Sequence, residues 1–121
     1  MKQLTNAEED VMQVLWKLEN AFVKDIVEEF SEPKPAYNTV STIIRILEKK
    51  GIVDHETFGK SHRYYPLITK EEYTKKFMNR FVKDYFSGSY ASMVSFFTNQ
   101  KTLSVKELET LLSELKEEKN D

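Results

Sequence analysis

Apolar residues recur with helical periodicity in two segments near the start of the chain. The first segment, residues 6–19, begins at Thr5 and Glu8, whose spacing is that of a capping box, in which each side chain pairs with the other's backbone N–H. The second segment places apolar residues at i, i+3, i+4 and i+7 between residues 23 and 30. It stops before Pro33, because proline disfavours helix in the preceding residue. The pattern therefore predicts two helices, the second ending near residue 30.

A third amphipathic segment, residues 37–50, leads into two segments that favour strands. Gly51 follows it at the position where a left-handed C-terminal cap belongs. Residues 52–58 and 62–67 are rich in β-branched and aromatic side chains, and a turn containing Gly59 joins them. Three helices followed by a hairpin is the element order of a winged helix-turn-helix domain.

The rest of the sequence predicts a helical tail. Capping-box spacings at Thr69–Glu72 and Ser104–Glu107 start two helices, and a shorter helix lies between them after Gly88. We therefore expect a mainly α (α+β) protein in two parts, a winged helix-turn-helix domain at residues 1–68 and a helical dimerisation region at residues 69–121.

The apolar faces of the tail helices are too large for the tail to cover by itself. A lone helix or helix pair leaves such a face wet, whereas burial across a two-fold axis yields ~1.5 to 3 kcal/mol for each large side chain. We therefore predict a homodimer, in preference to packing of the tail onto the winged domain. The side chains assigned to the dimer interface are Tyr73, Phe77, Phe81, Tyr85, Met93, Val94, Phe97, Leu108, Leu111, Leu112 and Leu115.

The distribution of charge changes the picture given by the net charge of -2. Residues 34–70 carry seven Lys and Arg against three Asp and Glu, whereas the segments on either side are both acidic overall. Affinity for DNA depends on how many phosphates one face neutralises and not on the total charge. The segment with the third helix and the hairpin therefore has the charge expected of a DNA-binding surface.

The outward face of the third helix carries hydroxyl, amide and cationic side chains. Such groups contact phosphates and base edges in the major groove, which is wide enough to admit a helix. We assign base contacts to Asn38, Ser41 and Thr42, because the N-terminal half of such a helix usually reaches the bases, and we assign Arg45 to a guanine or a phosphate. Further DNA contacts are assigned to Tyr37 and Lys49 on the helix and to Lys60, His62 and Arg63 at the hairpin tip.

The residues that the chain lacks disfavour several classes of function. Cysteine is absent, which removes disulfides and thiolate chemistry and is compatible with the cytoplasmic location that we expect. His55 and His62 have no cysteine or glutamate at ligand spacing, so we expect no metal site and no cofactor. Neither a glycine-rich phosphate loop nor a nucleophile triad is found, and no segment has the length of a membrane span. We therefore expect neither an enzyme nor a membrane-inserted protein.

Several short motifs carry a family resemblance: Leu4-Thr5-Asn6-Ala7-Glu8, Val11-Met12, Leu15-Trp16, Thr39-Val40-Ser41-Thr42, Leu47-Glu48-Lys49-Lys50-Gly51 and Tyr64-Tyr65-Pro66-Leu67. They resemble the penicillinase repressor family, the BlaI/MecI/CopY group, over nearly the whole chain. The resemblance implies a dimeric repressor that silences its target operon, often of antibiotic-resistance genes, by occupying a palindromic operator on double-stranded DNA. It also implies that the third helix reads the DNA, with Thr39 and Thr42 matching the family's threonines.

The sequence departs from the family pattern in three places. Many members have a basic residue where Ser41 stands and arginine where Ile46 stands, so the operator sequence is expected to differ. The copper-responsive branch ends in a cysteine cluster, which this chain lacks. The antibiotic-responsive branch, which works with a membrane-bound sensor protease, is inactivated by cleavage at a bond that corresponds to Phe96–Phe97, where the family commonly has Asn as the first residue.

Two other interpretations stay open. A winged-helix module can bind a protein partner through its third helix, in which case random duplex DNA would not bind at low salt. A repressor can also bind a small inducer among the aromatic side chains of its tail, which thermal shifts across a ligand panel would detect.

Overall fold

The computed structural model describes residues 3–100 and 104–119, with the side chains of the last helix described as far as residue 114. The elements in these ranges are α1 (Asn6–Leu18), α2 (Val23–Glu29), α3 (Tyr37–Lys49), β1 (Val53–Phe58), β2 (Ser61–Pro66), α4 (Lys70–Phe86), α5 (Tyr90–Asn99) and α6 (Val105–Lys119). This order confirms the predicted winged helix-turn-helix and the mainly helical class. The backbone forms two compact units, one ending at Thr74 and the other beginning at Lys75.

Two helix starts are stabilised by the predicted capping boxes. At α1 the Glu8 N–H donates to Thr5 Oγ1 at 3.2 Å and the Thr5 N–H donates to Glu8 Oε1 at 3.0 Å. The same reciprocal pair of bonds joins Thr69 and Glu72 at the start of α4. Each box satisfies two N–H groups that a helix would otherwise leave unpaired.

The end of α3 forms a Schellman motif around Gly51. The Ile52 N–H donates to the Leu47 carbonyl at 3.1 Å, and the Gly51 N–H donates to the Glu48 carbonyl at 3.0 Å. Gly51 has φ +78°, a conformation that costs glycine little because it has no Cβ. The predicted C-terminal cap is thus confirmed, and it turns the chain from α3 into β1.

The hairpin gains a third neighbour that the sequence pattern did not predict. β1 and β2 pair antiparallel, and Gly59 (φ +61°) lies in the turn where Phe58 faces Ser61. Ala21, between α1 and α2, bridges to Tyr64 of β2 through two backbone hydrogen bonds of 2.9 and 2.8 Å. The hairpin is therefore attached to the helices by backbone bonds as well as by side-chain packing.

The core of the first unit lies between the three helices and the inner side of the hairpin. Its fully buried side chains include Val11, Met12, Leu15, Ile26, Val40, Ile44, Leu47 and Val53. All of these except Val53, which lies on β1, are apolar residues on the inner faces of the three helices. The start of α1 departs from the predicted pattern, because Ala7 is exposed and Glu8 is buried.

Glu8 is buried because Lys50, the residue after α3, neutralises it. Lys50 Nζ lies 2.7 Å from Glu8 Oε2 and donates to Oε1 at 2.9 Å. Burial by itself would raise the pKa of Glu8, but the hydrogen bonds from Lys50 and Thr5 outweigh it and hold the pKa of this carboxyl below its ordinary value. The pair ties the start of α1 to the end of α3.

The first turn of α4 packs into the core of the first unit. Tyr73 is 9% exposed, its ring centre lies 5.5 Å from that of Trp16, and its hydroxyl donates to Glu9 at 2.5 Å. Trp16 Nε1 donates to the carbonyl of Ile68 at 2.9 Å. Burial and the bond to Glu9 raise the pKa of Tyr73. The structure therefore packs Tyr73 onto the winged domain, whereas the sequence analysis assigns this residue to the dimer interface.

The second unit has a small core of its own. Val82 is 1% exposed, and its carbonyl accepts the Gly88 N–H at 3.0 Å where α4 ends. The ring of Phe86 lies 5.8 Å from that of Phe81 and 5.7 Å from that of Phe96 on α5. Val82 and Phe86 were not singled out in the sequence, where the aromatic residues spaced four apart are Tyr73, Phe77, Phe81 and Tyr85.

Candidate nucleic-acid interface

The solvent side of α3 carries the residues predicted to read DNA. Its exposed residues are Tyr37, Asn38, Thr39, Thr42, Arg45, Ile46 and Lys49, and Ser41 is half-buried. None of the exposed residues is acidic, and the first turn of α3 contains no carboxylate. The helix therefore presents donors and cations to a polyanion without a repelling charge.

Two of these side chains bond back to the helix backbone. Thr42 Oγ1 donates to the Asn38 carbonyl at 2.9 Å, and Arg45 Nε donates to the Ser41 carbonyl at 3.3 Å. The Thr42 hydroxyl proton is thereby used, which leaves its lone pairs and its methyl group for a partner. Arg45 keeps its terminal nitrogens as donors.

The basic residues at the hairpin tip differ in their surroundings. The Arg63 guanidinium lies 4.5 Å from the centre of the Phe58 ring, and its Nη2 is 3.6 Å from Glu56 Oε2. Lys60 is exposed and takes part in none of the ion pairs found among the described residues. Of the two, Lys60 is the one whose charge is available to an incoming phosphate.

The two histidines lie against each other and against α3. Their rings are parallel, with centres 4.0 Å apart, and His55 Nδ1 is hydrogen-bonded to Glu48. Ligand-type atoms of Glu48, Asp54 and His55 lie within 4.8 Å of one another, so the expectation that no glutamate accompanies the histidines is wrong. The reason is that Glu48 comes from α3 and not from the hairpin. The Glu48–His55 contact joins α3 to β1, and burial together with Glu48 raises the pKa of the neighbouring Tyr64.

A cleft of about 510 Å³ lies between α2, α3 and the hairpin. It brings together five of the predicted DNA contacts, namely Tyr37, Ser41, Arg45, Lys60 and His62. Asn38, Thr39, Thr42, Lys49 and Arg63 do not line it. Lys24 also lines the cleft. It was not assigned to DNA contact from the sequence, because Lys24 stands in an acidic segment and α2 carries no predicted contact. No local signal marks it, since it meets the other cations only through the fold.

Most of the residues assigned to dimerisation lie in the second unit, where they differ in exposure. Phe77, Tyr85, Leu111 and Leu112 are exposed, with exposed fractions of 46% to 74%. Phe81, Met93, Val94, Phe97 and Leu108 are half-buried. The side chain of Leu115 lies outside the described part, and Tyr73 belongs to the first unit.

The bond implied as a cleavage site, Phe96–Phe97, lies inside α5. Phe96 is exposed and Phe97 is half-buried. A protease binds its substrate as an extended strand, so this turn of α5 has to open before the bond can be cut.

Comparison with known families agrees with this architecture. The family model described as Penicillinase repressor matches residues 4–117. The chain belongs to the penicillinase repressor family. It is therefore a transcriptional repressor and not an enzyme, as predicted. Among the described residues, no helix has both the length and the apolar character required to cross a bilayer.

Relatives within the family cover almost the whole chain. The methicillin resistance regulatory protein MecI of Staphylococcus aureus (strain N315) is 30% identical over 110 residues, which cover 90% of this chain and 89% of MecI. The penicillinase repressor of Bacillus licheniformis is 30% identical over 119 residues, 98% of this chain and 93% of the relative. The solution structure of the DNA-binding domain of the repressor BlaI has a TM-score of 0.51 and 30% identity, covering 59% of this chain and 88% of that domain.

Proposed function

We propose that the chain represses transcription by binding a palindromic operator as a homodimer, with α3 in the major groove and the hairpin tip against the DNA backbone. The observation that carries the proposal is the carboxylate-free exposed side of α3 beside a cleft lined by Lys24, Arg45 and Lys60. A duplex carries a phosphate for roughly every 1.7 Å of its axis, so cations on adjacent elements can each neutralise one.

The second unit supplies the contact between the two copies. Its exposed large apolar side chains on α4 and α6 include Phe77, Tyr85, Leu111 and Leu112. Burial of these side chains against a second copy would remove apolar surface from water. A two-fold dimer presents two identical reading heads, which match the two halves of a palindrome.

Titration of the protein with labelled duplexes over a series of salt concentrations tests the proposal. We expect the logarithm of the affinity to fall linearly with the logarithm of salt, with a slope of about -0.9 per phosphate contacted. A palindrome obtained by selection from random duplexes should bind more tightly than either of its half-sites. Failure of wild-type protein to retain any duplex at low salt would contradict the proposal and favour a protein-interaction module.

The proteolytic inactivation implied by the family resemblance stays a prediction. Phe96 is exposed, but the Phe96–Phe97 bond lies within a helix. Mass spectrometry after incubation with the cognate sensor protease would detect the two fragments, and an intact tail would remove the hypothesis.

A further inference from the structure

The cleft between α2, α3 and the hairpin has the lining of an anion site. Lys24 comes from α2, Arg45 from α3 and Lys60 from the hairpin, and three residues with hydroxyl groups, Tyr37, Ser41 and Ser61, line the same cleft. No Asp or Glu lines the cleft. Three cations and three hydroxyl donors with no carboxylate suit a phosphate group and repel a metal cation.

Among the described residues, no carboxylate forms an ion pair with Lys24, Arg45 or Lys60. The ion pairs of the first unit use other residues, such as Lys17 with Glu29 and Lys50 with Glu8. Neither Lys24 nor Lys60 takes part in any ion pair among the described residues. An incoming phosphate therefore does not have to displace a carboxylate from either lysine.

An aromatic contact holds the sides of the cleft together. The rings of Phe22, which precedes α2, and Phe58, at the end of β1, meet edge to face with their centres 6.0 Å apart. The Arg63 guanidinium lies over Phe58. Because Phe22 is next but one to Lys24 and Phe58 next but one to Lys60, this contact keeps the two lysines beside the same cleft.

We propose that this cleft binds a backbone phosphate of the operator and that Lys24 is one of the groups that hold it. The proposal rests on the proposed function and adds α2 to the contact surface. DNA is favoured over a small phosphorylated compound because Ser41 and Arg45 belong both to the cleft and to the reading side of α3. A phosphate in the cleft would thus be continuous with a duplex lying along α3.

The test is the salt dependence of binding to a random-sequence duplex, because a phosphate contact does not depend on base sequence. We expect Lys24→Gln to make the slope shallower by about 0.9 for each reading head, and Lys24→Arg to restore it. Lys17→Gln, which removes the same charge from a lysine outside the cleft, should leave the slope unchanged. Lys24 is exposed, so the substitution should leave the fold intact, which the melting temperature verifies.

The outcomes separate this proposal from the proposed function. If the wild type binds DNA and Lys24→Gln shows the same salt slope as the wild type, the cleft proposal alone is overturned. If the wild type does not bind DNA, both proposals are overturned. A second arm measures the melting temperature with inorganic phosphate or adenosine monophosphate. Stabilisation of the wild type that Lys24→Gln abolishes, with an unchanged slope on DNA, would assign the cleft to a free phosphorylated ligand and overturn the assignment to DNA.

Discussion

Ser41 and Thr42 are the α3 side chains from which we expect sequence discrimination. The Thr42 hydroxyl donates to the Asn38 carbonyl, so its methyl group and lone pairs remain for a base edge. A good base contact contributes ~1 to 3 kcal/mol of discrimination. We expect Ser41→Ala and Thr42→Ala each to reduce the preference for a selected operator over random duplex by about 5- to 150-fold, without changing the salt slope.

Thr74→Ala is the matched control for this prediction. Thr74 is exposed on α4, and its hydroxyl donates to the Lys70 carbonyl one turn earlier, as Thr42 does on α3. The control should therefore leave operator preference unchanged. Equal weakening of binding to every duplex by the α3 substitutions would show that these residues do not read sequence.

Because Glu8 is buried against Lys50, we expect replacement of Lys50 alone to lower the stability of the protein strongly. Lys50→Met leaves the Glu8 carboxylate buried without its cation, and breaking a buried pair in this way costs about 3 kcal/mol. Urea denaturation should show this loss, whereas Lys17→Met, which breaks the exposed pair with Glu29, should change the free energy of unfolding by less than about 1 kcal/mol. Similar losses for the two variants would contradict the assignment.

The same pair makes the free energy of unfolding depend on pH in the acid range. The pKa of Glu8 is lower in the folded protein than its ordinary value, so the folded state favours the ionised carboxyl. This contribution is present above the ordinary pKa and is lost as pH falls through the lowered pKa. The free energy of unfolding, measured by denaturation at a series of acid pH values, should therefore fall less with decreasing pH for Glu8→Gln than for the wild type. The same pH dependence in both proteins would exclude Glu8 as the source.

At the scale of the element, two basic residues of the hairpin that the sequence analysis assigns alike to DNA contacts have different surroundings. Lys60 has no ion-pair partner among the described residues, whereas Arg63 lies over Phe58 and near Glu56. We expect Lys60→Ala to make the salt slope shallower by about 0.9 per reading head. Arg63→Ala should change the slope less and should lower the free energy of unfolding by about 0.5 to 1 kcal/mol, the contribution of an exposed cation–π contact.

Both effects are measured on the same samples by anisotropy titration and urea denaturation. A larger slope change for Arg63→Ala than for Lys60→Ala would mean that the arginine leaves Phe58 to bind DNA. The hairpin would then rearrange on binding, as some interfaces do.

At the scale of the whole molecule, the proposed dimer predicts that the exposed leucines of α6 contribute to association. Burial of one such side chain contributes ~1.5 to 3 kcal/mol, so Leu111→Asp and Leu112→Asp should each shift the protein from dimer towards monomer. Sedimentation velocity measures the shift, and binding to the selected palindrome should weaken while binding to one half-site does not. Ser113→Asp adds the same charge at the neighbouring exposed position and should leave the dimer intact. A wild type that sediments as a monomer would contradict the dimer.

Local spacing specifies the faces of a helix but not the contacts between elements. Val40, Ile44 and Leu47 of α3 are buried and most of its polar residues are exposed, as the sequence predicts, because a helix repeats every 3.6 residues and its faces follow from local spacing; Ser41 is half-buried. The cleft was not predicted as a unit, because Lys24, Arg45 and Lys60 stand on three elements whose arrangement depends on packing.

The amino-acid sequence by itself determined the order and bounds of the helices, the cap at Gly51 and the polar side of α3, since each depends on residues within one or two turns of each other. Only the tertiary structure decided that Glu8 is buried against Lys50, that Tyr73 bonds to Glu9, and that Lys24 faces the cleft. The first two contacts join residues 42 and 64 positions apart. Contacts at such separation form only when the elements pack, so no local spacing specifies them.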